Sequence, residues 1–224
     1  MSRAGLSITR DNGSLQIDDM FMTYRLIAKG SVYVAELNQN NGSGGATLSI
    51  TGKNPTLFLS GGPLVAVIQK TVSGGVHTWK LMAKTSGTAT YYIFDEQVSA
   101  DSGFGLQLFD EGGRLTFDSS SKLLRFVGSY QLAWASGDSL TLPYGRTYAV
   151  SNSSTVIGIQ GTIRGGMVIS LMLASSVRVS GSLVEGGTSV FGIIPQDPGD
   201  VGNSQYYYGR ADIVFTNVID VTGF

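Results

Sequence analysis

The sequence has no cysteine and only one histidine, His77, among 224 residues. Without cysteine there are no disulfides and no thiolate metal sites, and the redox compartment is left undetermined. With one histidine, two-histidine metal motifs and multi-histidine zinc centres are excluded. Charge is also scarce, at 14% of residues against the usual quarter, and the formal net charge is −1. The basic side chains are scattered (Arg3, Arg10, Arg25, Lys29, Lys53, Lys70) rather than gathered into a patch, so nucleic acid is not an expected partner. Long apolar runs are missing too. Met167 to Ala174 is the most membrane-like window, but it is about half a bilayer in length and flanked by Arg164 and Arg178, which reads as a buried strand. The opening residues lack the apolar core of a secretory signal, so no export route is expected.

What is abundant is glycine, at 31 residues, with 42% hydrophobic residues. Each interior glycine weakens a helix by about 1 kcal/mol relative to alanine, so strands punctuated by glycine turns fit better. Leu6 to Arg10 alternates apolar and polar, Asp11-Asn12-Gly13 suits a tight turn, and Leu15-Gln16-Ile17 alternates again, which predicts a β-hairpin. Further strands are expected at Tyr24 to Ala28, Ser31 to Leu37, Ala46 to Ile50, Thr56 to Leu59 and Leu64 to Ile68, with Gly30 among the separators. His77, Trp79 and Leu81 fall on one face of another strand, and Tyr91 to Phe94 make one more.

In the second half, strands are expected at Thr147 to Val150, Val156 to Ile163, Met167 to Leu173, Val177 to Ser180, Val190 to Ile194 and Ala211 to Thr216. Turn signals about every ten residues predict an all-β fold, one or more antiparallel β-sandwiches with Gly-rich turns and little or no helix. Residues 1–128 read as an N-terminal sandwich-like domain and 129–224 as a C-terminal β-rich domain, with a single domain as the alternative. No repeat period stands out.

Residues arranged for catalysis are few. His77 shares a strand face with Trp79 and reads as a packed residue, and no G-x-S-x-G elbow is present. Asp95, Glu96, Asp110, Glu111 and Asp118 are the carboxylates a glycan hydrolase would need in pairs. Yet Asp110-Glu111-Gly112-Gly113 reads as a hairpin turn, and Asp95-Glu96 follow a strand. Asp11, Asn12, Asp18 and Asp19 do not have calcium-loop spacing, and Gly42-Ser43-Gly44-Gly45 lacks the ending of a phosphate loop. The protein is therefore expected to be non-enzymatic, with no cofactor and no metal. Tyr206, Tyr207 and Tyr208 form the one cluster suited to recognising a protein or a sugar; the alternative reading of them is an ordinary strand with alternate rings in the core.

The segment GFGLQLFDEGGRLTFDSS, from Gly103 to Ser120, reads as strand, acidic-glycine turn and strand, with Lys122 to Val127 available as the third strand of a meander. Together with LLRFV at Leu123 to Val127 it resembles a family of small tail-tip proteins of lambda-like and HK97-like siphophages, associated with the central tail fibre. GLSITRDNGSLQID at the start, YYIFD at Tyr91 to Asp95, GRTYAV at Gly145 to Val150 and VIDVTGF at Val218 to Phe224 extend the resemblance over most of the chain. The resemblance implies a structural virion protein of the distal tail, made in the bacterial host cytoplasm. It also implies a homotrimer, partnered by the central fibre or host-specificity protein and in contact with a host receptor if the tip itself attaches. A receptor- or carbohydrate-binding module is the alternative, and a tail-associated glycan hydrolase a second one.

Overall fold

A computed structural model describes residues 7–9, 15–18, 23–38, 43–96, 104–133, 137–153, 155–164, 167–195 and 213–224. Among these residues the protein is all-β, with no helix. No helix of the described residues is long and apolar enough to cross a membrane.

The chain opens on the expected hairpin: β1 (Ser7–Thr9) pairs antiparallel with β2 (Leu15–Asp18), Ile8 opposite Ile17. Six strands follow: β3 (Tyr24–Val34), β4 (Ala46–Thr51), β5 (Thr56–Ser60), β6 (Val65–Ser73), β7 (Val76–Ala83) and β8 (Gly87–Glu96). A ribbon of β9 (Gln107–Phe109) and β10 (Leu115–Asp118) interrupts. Then come β11 (Phe126–Ala133), β12 (Ser139–Thr141), β13 (Tyr148–Asn152), β14 (Ile157–Arg164), β15 (Met167–Ser180), β16 (Leu183–Pro195) and β17 (Ile213–Asp220).

Two large antiparallel sheets pack face to face. One has the order β11-β17-β13-β5-β8-β3 and the other β12-β16-β15-β6-β7-β4, with β14 on the edge of β15. These orders repeat themselves. The trio β3-β8-β5 corresponds to β11-β17-β13, and β4-β7-β6 to β12-β16-β15, so that chain order maps onto chain order with β14 as the single addition. The halves meet through one antiparallel bridge in each sheet, Leu59 with Val150 and Val65 with Val177. The fold is thus a duplicated six-stranded sandwich whose two units share both sheets, a repetition that no sequence period announces. Residue 128 lies inside β11, and the topological halves meet instead between β8 and β11.

Each half fills its own interior. Val32, Val34, Leu57, Trp79, Leu81 and Ile93 pack together in the first, and Leu132, Tyr148, Val150, Val179, Val184 and Val218 in the second. Burial of such side chains contributes about 1.5–3 kcal/mol each. A third cluster joins the halves on the outer face of the six-stranded sheet, where Phe58, Tyr92 and Phe94 meet Ala149, Ile219 and Val221. It explains why Tyr91 to Phe94 is a continuous apolar run: Ile93 faces the interior, while Tyr92 and Phe94 are covered from outside by Leu124 and Phe224.

Three sequence expectations change. Gly30 does not separate two strands but sits inside β3 opposite Tyr91; a Cβ there would lie 2.6 Å from the Tyr91 hydroxyl, so the glycine makes room for a cross-strand ring. Residues 122–127 do not complete a meander with β9 and β10. Leu123 bridges to Arg25 of β3, and Phe126 begins β11 against β17. The polar Ser175-Ser176 does not divide β15, because both are buried within the strand and the Ser175 hydroxyl accepts the Val156 amide at 3.0 Å.

Candidate functional site

Tyr206, Tyr207 and Tyr208 lie outside the described residues, as do Asp11, Asn12 and Asp19. His77 is on the interior face of β7, 6% exposed, with its ring 6.4 Å from that of Trp79. It is a packed strand residue. No group of three or more metal-ligating side chains occurs among the described residues.

The carboxylates hold turns. Asp95, 5% exposed at the end of β8, accepts amides from Lys53 (2.7 Å), Asn54 (2.8 Å) and Glu96 (2.8 Å), which fixes the β4–β5 connection. Asp110 accepts the Gly112 and Arg114 amides, both at 2.9 Å, and the Arg114 guanidinium at 2.9 Å. The Arg114 amide, foremost among these contacts, holds the Asp110 carboxyl below its ordinary value. Asp118, fully buried, accepts the Ser120 hydroxyl (2.6 Å) and amide (2.8 Å), and these bonds lower its carboxyl as well. Ser119 closes the same ribbon by pairing both ways with the Leu106 backbone at 2.9 Å. The Asp-Ser-Ser ending is therefore a lock on a hairpin.

That locked ribbon points one set of apolar side chains inward and another outward. Leu108, Leu115 and Phe117 are buried, whereas Phe104 is 89% exposed, Leu106 45% and Phe109 50%. Three large apolar side chains within six residues on a braced hairpin form a contact surface of the kind that marks interaction sites.

A second braced region is built from GRTYAV and VIDVTGF. Asp220 at the end of β17 binds Arg146 at 2.8 Å, with Arg125 at 3.7 Å. Arg125 also donates to the Thr222 carbonyl and lies over the Phe224 ring at 4.4 Å. Lys29 donates to the Phe224 carbonyl at 2.7 Å. Burial raises the Asp220 carboxyl, but the Thr222 hydroxyl and amide, the Arg125 charge and the Arg146 contact outweigh it and leave the carboxyl lowered. A lowered folded-state value means that this stabilisation is present above about pH 4, the unfolded value, and is lost as pH falls through the folded one. Unfolding midpoints in urea are expected to fall on acidification below about pH 4, and Asp220→Asn to flatten that fall. An equally steep acid slope in the variant would contradict the assignment.

One concavity was not legible in the sequence. At the seam between the halves, where β6 bulges between Val67 and Gln69 and the chain enters β14, a cleft of about 350 Å³ opens. Gln69 and Lys70 line it from the first half and Ser151, Asn152, Ser153 and Thr155 from the second, with Trp79 behind them. These groups come from segments some eighty residues apart, so no local motif signals them.

In comparisons with known proteins, no family model, curated protein or solved structure matches this chain.

Proposed function

We propose that this protein is a structural subunit of a siphophage tail tip, a non-enzymatic part of the distal virion that acts by shape and contact against the central fibre or host-specificity protein. The observation that carries the reading is the braced ribbon. The segment that bears the resemblance, Gly103 to Ser120, is the one that exposes Phe104, Leu106 and Phe109, while Asp110, Asp118 and Ser119 brace it through hydrogen bonds. Exposed aromatic anchors on a rigid element are the usual energetic centre of a protein interface. A homo-oligomer, a trimer on the resemblance, would cover such a surface by symmetry, and host attachment follows if the assembled tip meets the receptor. The non-enzymatic part of the reading is supported by Asp95, Asp110 and Asp118, each of which accepts backbone amides of its own separate turn, with further side-chain donors on Asp110 and Asp118.

The double substitution Phe104→Ser with Phe109→Ser tests it. Phe104 is 89% and Phe109 50% exposed, so the protein is expected to stay folded, with a loss of no more than about 1–2 kcal/mol. Incorporation into particles, measured by quantitative blotting of purified virions, is expected to fall at least about tenfold. Undiminished incorporation, or a parent protein that is a monodisperse monomer with no affinity for other tail proteins, would overturn the reading.

A further inference from the structure

We propose that the seam cleft is a saccharide site that takes one hydroxyl-rich sugar unit and holds an acidic sugar, one carrying a carboxylate, through Lys70.

The hydrogen-bond polarity of its walls leads to this ligand class. Ser153 donates its hydroxyl proton to the Phe215 carbonyl at 2.9 Å, and Thr155 donates to the Val67 carbonyl. With those protons committed, both oxygens meet a ligand only as acceptors, so the ligand must bring O–H donors of its own. Asn152 is fixed from two sides, its Oδ1 accepting Thr216 at 3.1 Å and its Nδ2 donating to the Ser175 carbonyl at 3.4 Å. The opposite wall supplies donors. Lys70 spends one ammonium proton on the Pro55 carbonyl at 3.0 Å and sits 5.4 Å from the centre of the Trp79 ring, which holds its head at the cleft with two protons left to give. No carboxylate lines the cleft among the described residues, so Lys70 is its only formal charge. Acceptors on one wall, the Lys70 ammonium on the other, and about 350 Å³ between them describe a polyol pocket with a carboxylate handle.

The position adds a reason. The cleft lies where the chain leads into β14, the strand without a counterpart in the first half, which takes the edge of β15 that β6 leaves after Val65. The pocket thus sits beside the one departure from the duplicated plan, at the kind of junction between units where ligand sites concentrate.

The test uses the full-length ¹⁵N-labelled protein titrated with methyl glycosides of galactose, glucose and glucuronic acid, and with N-acetylneuraminic acid, up to millimolar concentrations. Shifts are expected at residues 67–70, 151–153 and 155 and at the Trp79 indole, with the acidic sugars binding more tightly and weakening as salt rises. Lys70→Gln is expected to weaken the acidic sugars about tenfold while leaving the neutral ones unchanged. Ser153→Tyr, which fills the cleft, is expected to abolish binding of all four. If Ser153→Tyr does not fold, the exposed Lys70 position still decides the outcome. No shift at the cleft in a folded protein, shifts confined to another surface, or equal affinity for acidic sugars in Lys70→Gln would each overturn the proposal.

Discussion

Replacing Asp95 with alanine is expected to destabilise the fold by about 2–4 kcal/mol, since three amides lose a charged acceptor at once. Two of those amides, Lys53 and Asn54, lie in the turn between β4 and β5, which cross from one sheet to the other, and the third belongs to Glu96 beside it. No neighbouring side chain replaces the carboxylate: Lys53 pairs its ammonium with Glu96 at 2.7 Å, and Asn54 donates to the Tyr24 hydroxyl at 2.8 Å. Asparagine at position 95 keeps one carbonyl oxygen and should recover part of the loss. Urea unfolding of the two variants beside the parent measures both effects. A loss below about 0.5 kcal/mol for the alanine variant would show that the β4–β5 turn is held by something else.

Phe94→Ala should destabilise more, by about 3–5 kcal/mol. Its ring is fully buried on the outer face of the six-stranded sheet, edge-on to Phe58 with centroids 6.0 Å apart and 6.0 Å from Phe224. The cavity left behind would lie between a strand of the first half and the 220–224 segment of the second. Because this cluster joins the duplicated units, the variant is expected to unfold in one transition at a lower denaturant concentration. Separate transitions for the two halves in the parent, where the cluster is intact, would show that it does not couple them.

These positions also show how far the sequence could be read. Local chemistry was legible: Asn12-Gly13 announced the first hairpin, and Asp110 to Gly113 the turn between β9 and β10. The shared face of His77, Trp79 and Leu81 followed from a period of two. Choices among distant partners were not. Gly30 looks like a turn signal until Tyr91 is placed across from it, and Leu123 shows no local sign that it will bridge to Arg25. The duplication leaves no sequence period because a sandwich requires only alternation and turns, which many unrelated sequences satisfy, so two units with one topology need share no wording. The exposed ribbon was legible as a hairpin, but which side it turns outward is set by distant contacts such as that of the Thr23 amide with the Thr116 carbonyl at 2.9 Å, which no local pattern announces.

The seam cleft and the ribbon bear on different questions, one on what the protein touches chemically and the other on where it is built in. The second is the central one. Imaging of intact particles carrying a gold-labelled tag on this protein tests it most directly. Label is expected only at the distal end of the tail in the parent, and lost from particles when Phe104 and Phe109 are both serine; label absent from parent particles, or found on the head or along the tail shaft, would overturn the tail-tip assignment.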